Sequence, residues 1–159
     1  MTTQHIGAAG ELLVQYRLLK LEIDSARLTT DSGVDLVVYS PTNGGAVTVQ
    51  VKTVRAPAPA GGTGRLANGW VFPHDLKAEL LALTLLSTDD VWLFTIEEAR
   101  ALAQQHTDSG QRRLYWYTDP DVVQSSGVPL KRVDVDGYLL ENRAEILFLR
   151  PTDVNRERG

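Results

Sequence analysis

The sequence predicts an α/β fold whose core elements follow the order α-β-β-β-α-β. The first supporting observation is the N-terminal segment, residues 4–21, in which apolar residues recur at helical spacing. The second is a pair of strand-like segments, residues 36–39 and 46–53, that flank a Pro-Thr-Asn-Gly-Gly turn and predict a β-hairpin. The third is the apolar run at residues 91–94, a predicted buried strand, which a helical pattern follows over residues 96–105.

The segments between these elements complete the predicted order. Residues 23–30 resemble a weak strand that leads into the hairpin. Residues 56–64, APAPAGGTG, predict a mobile surface loop, because prolines and glycines do not continue a central strand or start a helix. Residues 70–72 predict a short strand, and Pro-His-Asp at 73–75 resembles a helix entry before the sequence LKAELLALTLL.

The C-terminal third predicts an extension of this core. It contains an aromatic strand at residues 114–117, a loop at 120–129 and a terminal helix through residues 138–148. At 159 residues and 43% hydrophobic content, the chain is long enough for one sizeable core, so we expect a single domain over residues 1–150. Residues 151–159, PTDVNRERG, predict a disordered tail.

Composition excludes several classes of site. The chain has no cysteine, which rules out disulfides and thiolate metal sites and agrees with a reducing cytoplasm. No signal-peptide pattern or membrane-spanning run is present, so we expect a cytoplasmic protein without a membrane partner. His5, His74 and His106 are far apart in sequence and lack the spacing of a zinc site, which favours surface or capping roles for them.

The hairpin brings three polar residues to one place. Side chains alternate along a strand, so the valines of residues 46–53 share one face while Gln50 and Lys52 share the other. Asp35 opens the first strand of the hairpin beside them. Covering an uncompensated lysine on such a face is costly unless anionic groups or water lie there, which indicates a functional site.

The motif G-x-D at residues 33–35, followed by Q-x-K at 50–52, resembles the PD-(D/E)XK nuclease superfamily. It is most similar to Mrr-type restriction endonucleases and small group I intron homing endonucleases, in which glutamine often replaces the acid of the final motif. The sequence GAAGELLVQYRLLKLEID resembles their first helix, and Glu11 falls where they carry a helical glutamate that faces the metal. The resemblance covers about the first hundred residues, whereas the part after Gln105 has no recognised counterpart. It implies a restriction-endonuclease-like fold, with a mixed central sheet flanked by helices.

The resemblance implies a metal-dependent endonuclease that hydrolyses phosphodiester bonds in DNA, with RNA a less favoured substrate. Mg²⁺, for which Mn²⁺ would substitute, prefers oxygen ligands. The implied ligands are Asp35, Gln50, the backbone carbonyl of Val51, and Glu11. Lys52 would orient the attacking water, help to deprotonate it and contact the scissile phosphate. The expected products carry 5′-phosphate and 3′-hydroxyl ends.

Charge gives a mixed indication about nucleic acid. The net charge of −4 argues against such a partner on average, because phosphate neutralisation dominates DNA affinity. The basic residues nevertheless cluster: Lys52 with Arg55 and Arg65, then residues 112–113, then 131–132. We assign nucleic-acid binding to the first cluster and treat the other two as ordinary solvated charges. Because duplex cleavage needs two active sites, we expect a homodimer or higher homo-oligomer.

Two alternatives remain open from the sequence. Each site residue has an ordinary structural role available: a turn cap for Asp35, an edge-strand charge for Lys52, a solvent-face position for Gln50 and a helix-surface charge for Glu11. In addition, an amide in place of an acid removes one negative charge from the metal shell. The second hypothesis for function is therefore a catalytically degenerate module that binds nucleic acid or a protein partner without cleavage.

Overall fold

The computed structural model of the chain describes residues 1–30, 32–42, 44–62, 64–122 and 131–149. Its helices are α1 (Thr3–Leu19), α2 (Ile96–Leu102) and α3 (Leu140–Ala144), with a 3₁₀ helix (Arg132–Tyr138) before α3 and a π-helical turn (Glu145–Leu149) after it. Its strands are β1 (Ser25–Arg27), β2 (Leu36–Tyr39), β3 (Ala46–Val54), β4 (Ala58–Ala60), β5 (Arg65–Pro73), β6 (Leu80–Leu85), β7 (Asp90–Thr95), β8 (Gln105–His106) and β9 (Gln111–Tyr117).

Within the described residues the strands form two sheets. The main sheet has the order β1-β2-β3-β6-β7, and the second sheet has the order β4-β5-β9-β8. The predicted hairpin is confirmed as β2 and β3, which pair antiparallel with Leu36 opposite Val49. β3 pairs parallel with β6, and the other main-sheet pairs are antiparallel, so the predicted mixed sheet is also confirmed.

Helix α1 covers one face of the main sheet. Thr2 caps it, because its hydroxyl oxygen accepts a hydrogen bond from the backbone N–H of His5. Val14 and Leu18 of α1 belong to a buried cluster with Val49 and Val51 of β3, which confirms that the valine face of the hairpin lies in the core. At Gly10 the helix comes so close to β3 that an added Cβ would lie 1.8 Å from Oγ1 of Thr53.

The second sheet covers the opposite face of the main sheet. Trp70 of β5 and Trp116 of β9 pack against Trp92 of β7, with ring centroids 4.7–5.8 Å apart within this group. β6 is therefore covered on both faces, and all of its side chains are buried. This double burial explains why the sequence of β6, LLALTL, is apolar without alternation.

Two central predictions were wrong. The segment LKAELLALTLL is not a helix, because its apolar part forms β6, and the second sheet covers that face together with α2. The expected mobile loop at residues 56–64 contains β4, which pairs with β5. β4 tolerates Pro59 because it lies at the edge of the second sheet, where a missing N–H breaks no central ladder. The predicted strand at residues 70–72 is confirmed within the longer β5.

The C-terminal part confirms the aromatic strand as β9 but corrects the terminal helix. Leu139 forms an antiparallel bridge with Trp92 and adopts ψ 141°, so a continuous helix through residues 138–148 is interrupted at its start. Most of the predicted loop at 120–129 and the whole predicted tail at 151–159 lie outside the described residues. Of the helices that are described, none is long and apolar enough to cross a membrane.

Candidate functional site

Glu11 and Asp35 line the same cleft at the open end of the hairpin. Glu11 comes from the middle of α1 and Asp35 directly precedes β2. The cleft has a volume of about 480 Å³ and a largely polar lining. Its lining residues are Glu11, Arg27, Leu28, Thr29, Thr30 and Asp35.

The Asp35 carboxylate is fixed against the backbone of β3. Its Oδ2 accepts a hydrogen bond of 2.6 Å from the N–H of Val51. Pairing between β2 and β3 ends at Leu36 and Val49, so the Val51 N–H lies beyond the last strand pair and needs another acceptor. Asp35 thus lies beside the backbone segment that links Gln50 to Lys52.

Glu11 is held by an arginine from the neighbouring edge strand. Its Oε2 accepts hydrogen bonds from Nε of Arg27 at 2.8 Å and from Nη2 at 2.6 Å. Arg27 pairs with Leu36 across β1 and β2, which brings its guanidinium close to Asp35 as well. The cleft therefore contains two carboxylates and one guanidinium.

Gln50 lies next to this cleft and has an unsatisfied amide oxygen. The register of the hairpin places it opposite Asp35, and its residue exposure is 8%. Its buried Oε1 has no hydrogen-bond partner in the described part of the chain. An orphaned acceptor of this kind costs about 1–3 kcal/mol unless a donor or cation meets it. A metal ion or a water molecule would satisfy this oxygen.

Gln50 faces a neighbouring cavity of about 220 Å³. That cavity is lined by Ser32, Gly33, Gln50, Pro73, Asp75, Leu76 and Lys77. The segment of residues 32–35 thus lies between the two cavities, with Asp35 lining one and Ser32 and Gly33 the other. Glu11 and Asp35 share one cavity and Gln50 lines the other, whereas Lys52 lines neither of these two. Because Val49 and Val51 pack against α1, Gln50 and Lys52 lie on the face of β3 that is turned away from the Glu11 helix.

Lys52 is two residues from Gln50 on the same face of β3, and it is half-buried. Within the described residues its ammonium forms no hydrogen bond or ion pair. β3 lies between β2 and β6, but its pairing with β2 ends at Val49, so at Lys52 it is paired with β6 alone and the alternative that Lys52 protects a sheet edge stays open. The alternative of a solvent-face position for Gln50 is wrong, since that side chain is buried.

Arg55 and Arg65, the predicted nucleic-acid contacts, are both exposed. Arg65 begins β5, whereas Pro73 at the other end of that strand lines the Gln50 cavity. A strand rises about 3.3 Å per residue, so the two ends of β5 are about 26 Å apart. The structure therefore does not bring Arg65 to the candidate site.

Two site residues were missed by the sequence reasoning. Arg27 lies in the weak strand that precedes the hairpin, and recognising that β1 pairs with β2 would have placed it beside Asp35. Lys77 lines the Gln50 cavity but was assigned to the interior of a helix. Lys77 would have been placed correctly if its segment had been interpreted as a loop that leads into a buried strand.

The donor set fits a hard cation with few carboxylate ligands. Among the described residues no group of three or more His, Asp or Glu side chains could hold a metal. The available oxygens are the carboxylates of Glu11 and Asp35, the amide oxygen of Gln50 and the backbone carbonyl of Val51. Mg²⁺ accepts such a set because it keeps several of its own waters.

Comparison with known proteins identifies the fold. No protein-family model matches the sequence, and no curated protein matches it. The structure is similar to that of a bacterial homing endonuclease, I-Ssp6803I, with a TM-score of 0.62 and 14% sequence identity over 93% of this chain and 92% of that chain. The chain therefore has a restriction-endonuclease-like fold, as predicted. Since the match covers 93% of the chain, the similarity extends past Gln105, contrary to the expectation from the sequence.

Proposed function

We infer that this chain is a metal-dependent endonuclease that hydrolyses phosphodiester bonds in DNA. The main support is the fixed position of the Asp35 carboxylate, which binds the Val51 N–H between Gln50 and Lys52 and shares a cleft with Glu11. This arrangement stands at the open end of the hairpin in a restriction-endonuclease-like fold. It offers both oxygen ligands and a cation to a phosphodiester.

The metal proposed for the site is Mg²⁺, with Mn²⁺ as a substitute. Its ligands would be Glu11, Asp35, the amide oxygen of Gln50 and the carbonyl of Val51. The orphaned Oε1 of Gln50 supports this assignment, because a cation would satisfy it. When bound, a divalent cation supplies positive charge at the phosphate and lowers the pKa of a coordinated water.

The residues of the chain have separate tasks in this proposal. Asp35 is oriented before substrate binds, because its hydrogen bond to the Val51 N–H fixes the carboxylate. Lys52 holds the attacking water and contacts the scissile phosphate, and its lack of a partner among the described residues leaves its ammonium available. Arg27 keeps Glu11 at the cleft through their ion pair. The product ends would be 5′-phosphate and 3′-hydroxyl.

Cleavage of both strands of a duplex requires two such sites. We therefore propose a homodimer or higher homo-oligomer as the active form. DNA is preferred to RNA as substrate because the structurally similar protein is a homing endonuclease. Sedimentation of the protein alone and with a DNA duplex would determine the assembly.

A second candidate function is a module that binds nucleic acid without cleaving it. The Glu11–Arg27 ion pair favours it, because Arg27 neutralises the carboxylate that the metal would use. The neutral Gln50 favours it as well, since it contributes no charge to the ligand set. Under this alternative the cleft binds DNA, and added Mg²⁺ changes neither the DNA nor the affinity.

The deciding experiment measures nicking of supercoiled plasmid by the purified protein in EDTA, Mg²⁺ and Mn²⁺. We expect metal-dependent nicking that falls by about 10³-fold in Asp35→Asn and in Lys52→Met, without loss of cooperative thermal unfolding. Lys20→Met serves as the control, because Lys20 is an exposed lysine at the end of α1. Nicking that persists in both site variants would refute the site, and binding without nicking by the wild type would favour the second candidate.

A further inference from the structure

A group of two arginines and two histidines lies near the Gln50 cavity, where the second sheet meets α2. Its members are His74, which follows β5, Arg100 of α2, His106 of β8 and Arg112 of β9. Three of them, His74, His106 and Arg112, line a concave site of about 260 Å³. The other residues that line it are Thr107, Gly110 and Gln111. We name His74, Arg100, His106 and Arg112 the Arg112 cluster.

Arg112 is held in place by several hydrogen bonds. Its Nε donates to Nδ1 of His74 at 2.8 Å, and its Nη1 donates to the backbone carbonyl of Arg100 at 3.4 Å. The same Nη1 lies 2.9 and 2.8 Å from the two ring nitrogens of His106. Nε of Arg100 donates to the backbone carbonyl of His74 at 2.8 Å. The guanidinium of Arg112 is thus oriented before any ligand binds.

None of these partners is a carboxylate, so the charge of the cluster is not neutralised. The acidic residues closest to it in sequence are Asp75, Glu97, Glu98 and Asp108, and none forms an ion pair with Arg100 or Arg112 in the described part of the chain. Arg112 is half-buried, so its unneutralised guanidinium attracts an anion more strongly than it would in bulk water. An anion in the concave site would neutralise that charge.

The position of the cluster relates it to the candidate active site. Pro73 lines the Gln50 cavity and the next residue, His74, lines the concave site, so the two are neighbours along one loop. Lys77 lies in the Gln50 cavity on the same loop. Lys77 and Arg112 thus place positive charge along a path that starts at the Gln50 cavity. In a chain of net charge −4, a nucleic acid requires such a local cationic path.

We propose that the Arg112 cluster binds a backbone phosphate of the DNA that flanks the phosphate to be cleaved. The proposal rests on the proposed endonuclease function and adds a second contact to it. A guanidinium matches phosphate because its planar N–H groups donate in pairs, and Nη2 of Arg112 is not used in the hydrogen bonds described above. Arg112 therefore contacts the phosphate, whereas His74 and His106 position Arg112.

The test uses the full chain with a fluorescein-labelled duplex in EDTA, so that cleavage does not interfere, and it follows anisotropy over a range of salt concentrations. We expect Arg112→Gln to weaken binding about ten-fold and to lower the slope of log affinity against log salt by about one. Arg112→Lys should recover part of the affinity, because it restores the charge without the planar fork. Lys20→Gln is the charge-matched control and should bind nearly as the wild type does.

A second arm detects the anion site independently of DNA. Titration of the ¹⁵N-labelled protein with inorganic phosphate should shift the amide signals of residues 74, 106 and 110–112, and Arg112→Gln should abolish those shifts. If phosphate causes no such shifts, the anion site does not exist, whether or not the protein cleaves DNA. If phosphate binds but Arg112→Gln leaves DNA affinity unchanged, or lowers it only as much as Lys20→Gln does, the proposed DNA contact is wrong. If the wild type nicks plasmid in these last cases, the endonuclease function stands without the cluster.

Discussion

The two sheets of the molecule differ in what they show to solvent and in what they contribute to the site. The main sheet is covered by α1 on one face and by the second sheet on the other, so β6 is apolar throughout. Among the residues that the structure describes, the second sheet buries one face, and in β9 buried Leu114 and Trp116 alternate with half-buried arginine and tyrosine residues. The main sheet carries the candidate catalytic groups, whereas the second sheet supplies packing and the Arg112 cluster.

This difference shows that the two sheets depend on each other. The tryptophan group takes Trp92 from the main sheet and Trp70 and Trp116 from the second, so neither sheet has a complete core of its own. The candidate site likewise uses both, since Pro73 of β5 lines the cavity into which Gln50 of β3 projects. Substitutions in the main sheet and in the second sheet test whether the two sheets depend on each other in this way.

The largest effect is expected from Trp116→Ala in the second sheet. Trp116 is fully buried against Trp70 and Trp92, and truncation of such a side chain costs about 3–5 kcal/mol of the free energy of unfolding. Urea unfolding would measure the change. Tyr117→Ala, on the outward face of the same strand, is the control and should cost less than about 1 kcal/mol. Equal losses in the two variants would contradict the one-sided burial of this sheet.

A smaller effect is expected where α1 meets the main sheet. In Gly10→Ala the new methyl group would lie 1.8 Å from Oγ1 of Thr53 and 2.7 Å from Oγ1 of Thr84, so α1 must move. We expect a loss of about 1–3 kcal/mol in the free energy of unfolding, together with slower nicking, because the adjacent residue is Glu11. Gly7→Ala is the matched control on the same helix, since nothing lies within 4 Å of its added Cβ, and it should be neutral or stabilising.

Adding Thr53→Ala to Gly10→Ala sharpens this test. The second substitution removes the oxygen closest to the new methyl group, so the double variant should regain part of the lost stability. If Gly10→Ala is as stable as Gly7→Ala, the close approach of α1 to β3 is not a constraint on the fold.

The next effect concerns the Mg²⁺ concentration that nicking requires. Gln50→Glu adds a carboxylate to the proposed ligand set, and affinity for a hard cation rises with ligand charge. We expect the Mg²⁺ concentration for half-maximal nicking to fall about ten-fold, which corresponds to roughly 1.4 kcal/mol. Gln50→Leu, which lacks the oxygen, should raise that concentration instead. An unchanged Mg²⁺ dependence in both variants would exclude Gln50 as a ligand.

The smallest effect concerns the ion pair that joins β7 to the 3₁₀ helix. Asp90 accepts hydrogen bonds from Arg132 at 2.6 and 3.0 Å. Burial alone would raise the pKa of Asp90, but the hydrogen bonds from Arg132 and Thr88 and the charges of Arg132 and Arg17 outweigh it, so the pKa lies below the ordinary value of 3.8. Because folding lowers this pKa, the ion pair stabilises the protein above about pH 4 and stops doing so as pH falls through the lowered pKa.

Asp90→Asn should therefore cost about 1 kcal/mol at pH 7, since the pair is partly exposed, and the difference from the wild type should shrink below pH 4. Urea unfolding at pH 7 and below pH 4 would measure this difference, with Asp108→Asn, at an exposed position, as the control. A difference that grows as pH falls would show that the sign of the pKa shift is wrong.

The sequence predicted the elements whose signals are local. The hairpin was predictable because its turn chemistry and its alternating valines agree, and α1 was predictable from its spacing. β6 was not, since a short apolar run is compatible with a buried helix as well as a buried strand. Its strand form depends on pairing with β3 and on cover from the second sheet, neither of which is encoded in residues 76–86.

In the candidate site, too, the contacts between residues of one hairpin were predictable from sequence and the contacts between distant segments were not. Asp35 and Val51 meet through the hairpin, so a sequence argument places them together. His74 and Arg112 meet because the register of β5 and β9 sets Phe72 opposite Arg112, a pairing between segments far apart in the chain. From sequence alone, Arg112 is therefore expected to be a solvated charge, and the nucleic-acid contact is expected at Arg55 and Arg65 instead.

The parallel pairing of β3 with β6 governs the order in which the chain assembles. Residues 55–79 separate these neighbours, and they make the β4–β5 excursion into the second sheet before the chain returns. Ordering residues 55–79 costs conformational entropy before β3 and β6 form their hydrogen bonds. We therefore expect this protein to fold slowly compared with helical proteins of similar size. A nascent chain that ends at β3 therefore exposes an apolar strand edge during synthesis, and circular permutants opened between β4 and β5 should refold with altered kinetics.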